Sequence, residues 1–203
     1  AIGDFAYLQS AFRALKKHYP HIKIDLFVVE STCTDNQARW ELLKNDVIYD
    51  WLGNCGLFNK VYKKNYAPQF FEESIKEAKA ENYPLIISFG DVHSEPTELY
   101  ARKMAGDNSI VAGLKLHINW YRLKYQISKR KLWKNLDITF DSIPMTQGKH
   151  ISDLFAHWFS QISGFTMSYE ERLPYIDIPQ QWVDNAEKKL NNLKKTPEQK
   201  IVF

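Results

Sequence analysis

Only two cysteines, Cys33 and Cys55, occur in 203 residues, too few for a disulfide framework and at no metal-ligand spacing. That scarcity fits a reduced, cytosolic setting. No apolar run approaches the ~20 residues of a membrane span, and no signal-peptide pattern is present. A Gly-x-Gly-x-x-Gly fingerprint, a P-loop, a His/Cys cluster at metal spacing and a serine nucleophile elbow are all lacking, so none of the chemistries those motifs carry is signalled. Charge of one sign is lacking too. The 27 Lys and Arg nearly balance the 24 Asp and Glu, and a net +3 with a pI near 8.7 singles out no partner. There are no internal repeats and no low-complexity tracts.

What is present suits one large domain, or one domain with a tail, with apolar residues enough for a substantial core. Hydrophobic residues make up 44% and aromatics 14%, including six Trp. Strand-like and helical segments alternate. Ile24–Val29 reads as a buried strand, followed by a helical stretch around Asn36–Asn45; Val61–Tyr62 is a short strand before a helix over Pro68–Glu81. Leu85–Phe89 predicts another strand, Glu95–Met104 a helix and Ser109–Ala112 a further strand. Such alternation predicts an α/β fold, specifically a Rossmann-like, doubly wound parallel sheet with right-handed crossovers.

The pattern changes after Gly113. Leu116, Trp120, Leu123 and Ile127 keep helical spacing, and a polar, turn-rich segment runs through Pro144 and Gly148. His150–Ile162 predicts a helix with Leu154, Phe155, Trp158 and Ile162 on one face, and Leu173–Pro179 an extended linker with proline near both ends. Trp182–Leu193 reads as an amphipathic helix, and Lys200–Phe203 as a strand just starting. The domain expectation is 1–178 for the main unit and 179–203 for a linker helix leading into the next.

At the other end, Gly3-Asp4 precedes Phe5, Leu8, Phe12 and Leu15 at helical spacing, which predicts a glycine turn, a helix and then the first strand listed above. Asp4 falls where the first helical turn leaves N–H groups unpaired, so the helix dipole favours its ionised form. An anionic, positioned carboxylate can act as a general base, and it can equally be a simple cap. Gly3-Asp4, Ala14-Leu15-Lys16-Lys17-His18-Tyr19-Pro20 and Ile22-Lys23-Ile24-Asp25-Leu26-Phe27-Val28, taken in order, resemble the start of the heptosyltransferases of glycosyltransferase family 9. In that comparison a strand ahead of Gly3 is missing, and Lys200–Phe203 is the first strand of a nucleotide-sugar domain, cut short.

The resemblance implies the N-terminal, acceptor-binding half of a GT-B enzyme. It implies metal-independent, inverting transfer of a sugar, heptose from ADP-heptose, to a lipopolysaccharide core or related surface glycan, with no cofactor beyond the nucleotide-sugar substrate. The absence of any Asp-x-Asp agrees, since that motif marks the metal-dependent GT-A class. Asp4 is the family's proposed general base, and Gly3 lets the backbone turn closely beside it. The implied location is cytoplasmic, peripheral at the inner face of the cytoplasmic membrane, with a glycolipid acceptor and no nucleic acid.

Three further constellations carry candidate chemistry. Ser88-Phe89-Gly90-Asp91-Val92-His93-Ser94-Glu95 follows a strand and starts a helix, where ligands of open α/β sheets gather. Asp91 and His93 can bind acceptor hydroxyls or assist proton transfer, or simply shape the turn. This stretch departs from the Asp-x-Gln-Gly often found there in the family. Lys60, Lys63 and Lys64 flank a short strand and can meet an anionic acceptor, or face water. Between Asp107 and Asp137 there is no acidic residue. Arg122, Lys124, Lys129, Arg130 and Lys131 lie there among Trp120, Tyr121, Tyr125 and Trp133. Such a segment can rest on anionic lipid headgroups or glycan, or track a nucleic-acid backbone, or pack its aromatics on a core. The rival to the enzyme is a non-enzymatic α/β module that binds an anionic glycan, a membrane surface or nucleic acid.

Overall fold

A computed structural model of the chain describes residues 2–29, 33–89, 96–115, 130–141, 150–174 and 178–193. Helix α1, Ile2–His18, is set by its apolar spacing and closed by the basic residues Lys16, Lys17 and His18 in its last turn, where the positive charge of the lysines suits a helix C-terminus; Pro20 follows. Strand β1, Asp25–Phe27, leads through a 3-10 turn, Gln37–Arg39, to the short helix α2, Trp40–Lys44, and then to α3, Val47–Asn54. Asn36 and Asp46 cap the 3-10 turn and α3 by accepting from Ala38 N and Ile48 N. Strand β2, Lys60–Tyr62, is followed by α4, Pro68–Ala80, which starts on proline and buries Phe71, Ser74, Ile75 and Ala78 along one stripe.

Strand β3, Leu85–Ser88, helix α5, Thr97–Met104, and strands β4, Ile110–Lys115, and β5, Ile138–Asp141, complete the α/β part. Helix α6, Ile151–Ser163, opens with a capping box between His150 and Asp153 and ends on Gly164, whose φ of 74° is the left-handed conformation glycine adopts freely. The four-residue α7, Tyr169–Arg172, and α8, Gln180–Leu193, follow.

All strand pairings among the described residues are parallel. β1 pairs with β2, Asp25 opposite Lys60 and Phe27 opposite Tyr62, while β3, β4 and β5 form a three-stranded sheet in that order. The fold is therefore α/β, with two small parallel sheets flanked by helices. The sheets are separate hydrogen-bonded units that share one apolar cluster, in which Phe27, Val29 and Tyr62 meet Ile86 and Val111. On β4 the fit is close at Gly113, where a Cβ would come within 2.9 Å of the Leu136 side chain.

A second cluster centres on α1. Phe12 sits edge-on to Phe58 and Phe159, centroids 5.2 Å away in each case, and 6.4 Å from Phe89. The amphipathic pattern predicts one buried stripe, yet Ala6, Gln9, Ser10, Ala11 and Ala14 are buried as well, so α1 is enclosed on most of its circumference. Its far end is held by Lys17 on Glu171, 2.8 Å, and by His18 stacked on Phe165.

Several expectations change in detail. Gly3 and Asp4 lie inside the first turn of α1, which begins at Ile2, so helix replaces the expected glycine turn. The segment expected to be irregular ahead of Pro144 contains β5, and α3 and α7 join the predicted helices. The helix expected over Leu116–Ile127 and the strand expected at Lys200–Phe203 lie outside the described residues. Cys33 is exposed and Cys55 buried, and neither forms a disulfide.

Candidate functional site

Parallel strands give a sheet two unlike ends. At the amino ends the polar side chains satisfy one another. Asp25 opens β1; its Oδ2 accepts from Tyr83 Oη at 2.6 Å and its Oδ1 from Asn59 Nδ2 at 3.0 Å. The Tyr83 hydroxyl also meets the Tyr62 hydroxyl at 2.8 Å. Burial, first, and then the Asp25 carboxylate raise the Tyr83 pKa well above the ordinary tyrosine value, because both disfavour the phenolate.

Lys60, the first residue of β2, joins this end. Its ammonium lies 2.8 Å from Glu81 and 2.9 Å from Glu77 on α4, and 4.8 Å above the Tyr62 ring. Hydrogen bonds to Glu81 and then Glu77 raise its pKa above the ordinary lysine value. Just ahead of β5, Asp137 accepts from Val111 N at 2.8 Å and pairs with Arg102 at 2.8 Å, which lowers its pKa in that order of cause.

The carboxyl ends are different. Asn65 is fully buried beyond β2. Its Nδ2 donates to the carbonyls of Val28 and Tyr62 and so ties the ends of β1 and β2 together, while its Oδ1 has no hydrogen-bond partner. Ser88, the last residue of β3, is buried and bonds Thr97 Oγ1 at 2.9 Å, fixing the start of α5 on that strand. Next in α5 comes Glu98, 2% exposed, whose Oε2 has no partner. Lys63 and Lys64 are exposed just past β2. The Lys63 ammonium lies over α3, 2.7 Å from where a Cβ on Gly53 would stand.

The three lysines of the sequence reading thus separate. Lys60 is committed to α4 at the amino end, whereas Lys63 and Lys64 are exposed just past the carboxyl end of β2. Asp4 lies in the first turn of α1 together with Gly3. Phe89, which leads into the 90–95 segment, packs on Phe12, eight residues and roughly 12 Å along the helix from Asp4. Asp91 and His93 lie outside the described residues, as do Arg122, Lys124 and Lys129. Arg130 and Lys131 are exposed on a helical turn at 130–133, and Lys115 Nζ lies 6.0 Å from the centroid of the Trp133 ring.

Sequence reasoning missed Asn65, Thr97 and Glu98. Glu98 reads as an ordinary acidic residue of a first helical turn, and only its burial distinguishes it. Among the described residues no group of three or more His, Cys, Asp or Glu could hold a metal ion, and no helix is long and apolar enough to cross a membrane. No family model, no curated protein and no solved structure matches the chain.

Proposed function

We propose that the chain is the acceptor-binding part of a metal-independent, inverting glycosyltransferase resembling family 9, transferring a sugar such as heptose from ADP-heptose to a lipopolysaccharide core or related anionic glycan. The observation that carries this reading is the unlike finish of the two strand ends. Polar groups are paired with one another at the amino ends, while two of the four unpaired buried oxygens among the described residues, on Asn65 and Glu98, and the exposed Lys63 and Lys64 lie at the carboxyl ends, where parallel α/β sheets bind ligands.

The finer fold in this proposal is the Rossmann-like, doubly wound N-terminal half of a GT-B enzyme. It requires one further parallel strand between β1 and β3, giving the order β2-β1-x-β3-β4-β5 with the crevice at the switch point. Two sheets that share a core without sharing backbone hydrogen bonds are compatible with such a gap.

In the reaction, the acceptor hydroxyl attacks the anomeric carbon, the bond to the nucleotide diphosphate breaks, and the hydroxyl proton passes to a carboxylate, for which Asp4 is the candidate. Lys63 and Lys64 hold the acceptor's anionic groups, and Asp91 and His93 orient its hydroxyls. Arg130 and Lys131, with Arg122, Lys124 and Lys129, face the anionic glycolipid surface.

The test is made in the full-length gene product, with release of nucleoside diphosphate from ADP-heptose and a core oligosaccharide as the readout. Asp4→Asn keeps the size of the side chain and removes the base, so kcat falls by about 10²–10⁴-fold with little change in acceptor affinity. Near-full turnover by the Asn variant refutes the assignment of Asp4. Loss of thermal stability in step with activity makes Asp4 a cap.

A further inference from the structure

Each strand of a parallel pair turns the N–H and C=O of every second residue toward its neighbour and those of the residues between toward the other side. In β1 the Ile24 carbonyl accepts from Asn59 N at 2.8 Å and the Val28 carbonyl from Asn65 Nδ2, so the even-numbered residues face β2. Asp25 and Phe27 then present their backbone groups on the opposite edge. In β3 the Pro84 carbonyl accepts from Ile110 N at 3.0 Å, so Ile86 and Ser88 face β4 while Leu85 and Ile87 turn outward. Among the described residues no backbone hydrogen bond reaches either outward edge.

The two edges lie side by side. Tyr83, two residues before β3, donates its hydroxyl to Asp25 at the start of β1, 2.6 Å away, and Phe27 and Val29 share one apolar cluster with Ile86 and Val111. Side chains thus tie strands that directly paired backbones, about 5 Å apart, would tie by hydrogen bonds. Apolar groups line both faces of the gap. Phe27 and Ile86 meet α4 and α5 on one, and Ile24 and Phe89 join Phe12 of α1 on the other. An unpaired strand edge is a template for a further strand, and here two such edges flank one apolar space.

We propose that the edges of β1 and β3 form a receiving slot for one extended peptide segment, which docks between them as a parallel strand. Pairing on both sides supplies the backbone hydrogen bonds, and the apolar lining of both faces selects a continuous run of Val and Ile over an alternating polar one. β1 and β3 are three and four residues long, so a segment of about four residues fills the slot. The sugar-transfer reading needs a parallel strand at this place, and the inference deepens that fold. Its test involves neither sugar nor nucleotide, so strand docking and sugar transfer fail separately.

The experiment titrates the 203-residue chain with a synthetic peptide in which a short run of Val and Ile is flanked by lysines, and follows it by calorimetry and by backbone hydrogen exchange. Saturating peptide should slow exchange of the Phe27 and Ile87 amides by about 10-fold or more, while Leu26 and Ile86, which already face β2 and β4, change little. The same peptide N-methylated at alternate residues loses the donors along one edge and should bind about 10-fold more weakly. Equal binding by the N-methylated peptide reduces the contact to side chains and overturns the proposal, as does no binding by the parent peptide. Protection of Phe27 and Ile87 without peptide, independent of protein concentration, means that the chain's own residues fill the slot. Protection that grows with protein concentration assigns the slot to a second copy. Either result overturns docking of a separate peptide.

Discussion

The amino and carboxyl ends of the parallel strands are built from similar residues and treated in opposite ways. Asp25, Tyr83, Lys60, Glu77, Glu81, Arg102 and Asp137 at the amino ends all have partners within hydrogen-bond distance. Asn65 and Glu98 at the carboxyl ends are more deeply buried, yet each keeps an unpaired oxygen. Stability alone favours the first arrangement, since an unpaired buried polar group costs about 1–3 kcal/mol. The difference therefore separates polar groups that hold the fold from buried oxygens that the fold leaves unpaired.

The largest expected effect that would break this comparison is at Tyr83. Tyr83→Phe removes two hydrogen bonds and leaves Asp25 Oδ2 unpaired, a loss of about 1–3 kcal/mol. For a chain of this size that lowers Tm by roughly 2–4 °C per kcal/mol, and oligosaccharide binding should not change. Weakened binding with an unshifted Tm would mean that the amino end is functional after all.

The lysines sharpen the contrast at a smaller scale. Lys60→Met should cost about 1 kcal/mol or less, because the Lys60 side chain is 31% exposed and solvent screens its pairs with Glu77 and Glu81. It should leave acceptor binding intact. The double change Lys63→Glu, Lys64→Glu should do the reverse, sparing Tm while weakening binding of the anionic oligosaccharide and flattening its salt dependence. Equal binding losses in both variants would erase the distinction between the two ends.

The smallest expected effect lies in the acid limb of stability. The folded state lowers the Asp137 pKa, chiefly through the Val111 N–H and then Arg102, so its contribution is present above the unfolded carboxylate pKa and is lost as pH falls through the folded value. Thermal scans of Asp137→Asn against pH should show a shallower fall of Tm below about pH 4 than wild type, with the two curves parallel at neutral pH. Parallel curves across the acid range would show that the pair carries no pH-dependent stability.

Much of the element order is legible in the sequence because it rests on local periodicity. Phe71, Ile75 and Ala78 mark one face of α4 by spacing alone, and the β-branched run at Leu85–Ser88 marks a strand. β5 is not legible in this way. Its four residues bury only Phe140, too little alternation to reveal a period of two, and its pairing with β4 comes from a partner more than twenty residues away.

The candidate site divides along the same line. The sequence by itself determined the helix and strand types, the near balance of charge, and the clustering of Lys60, Lys63 and Lys64 along the chain, because these depend on neighbours in sequence. Tertiary structure alone decided that Lys60 is held by Glu77 and Glu81 of α4 while Lys63 and Lys64 stay exposed. It also decided that Glu98 is buried while Glu77 and Glu81 are paired near the surface. The physical reason is that pairing and desolvation are set by which groups packing brings into contact, and those groups come from strands and helices far apart in the chain.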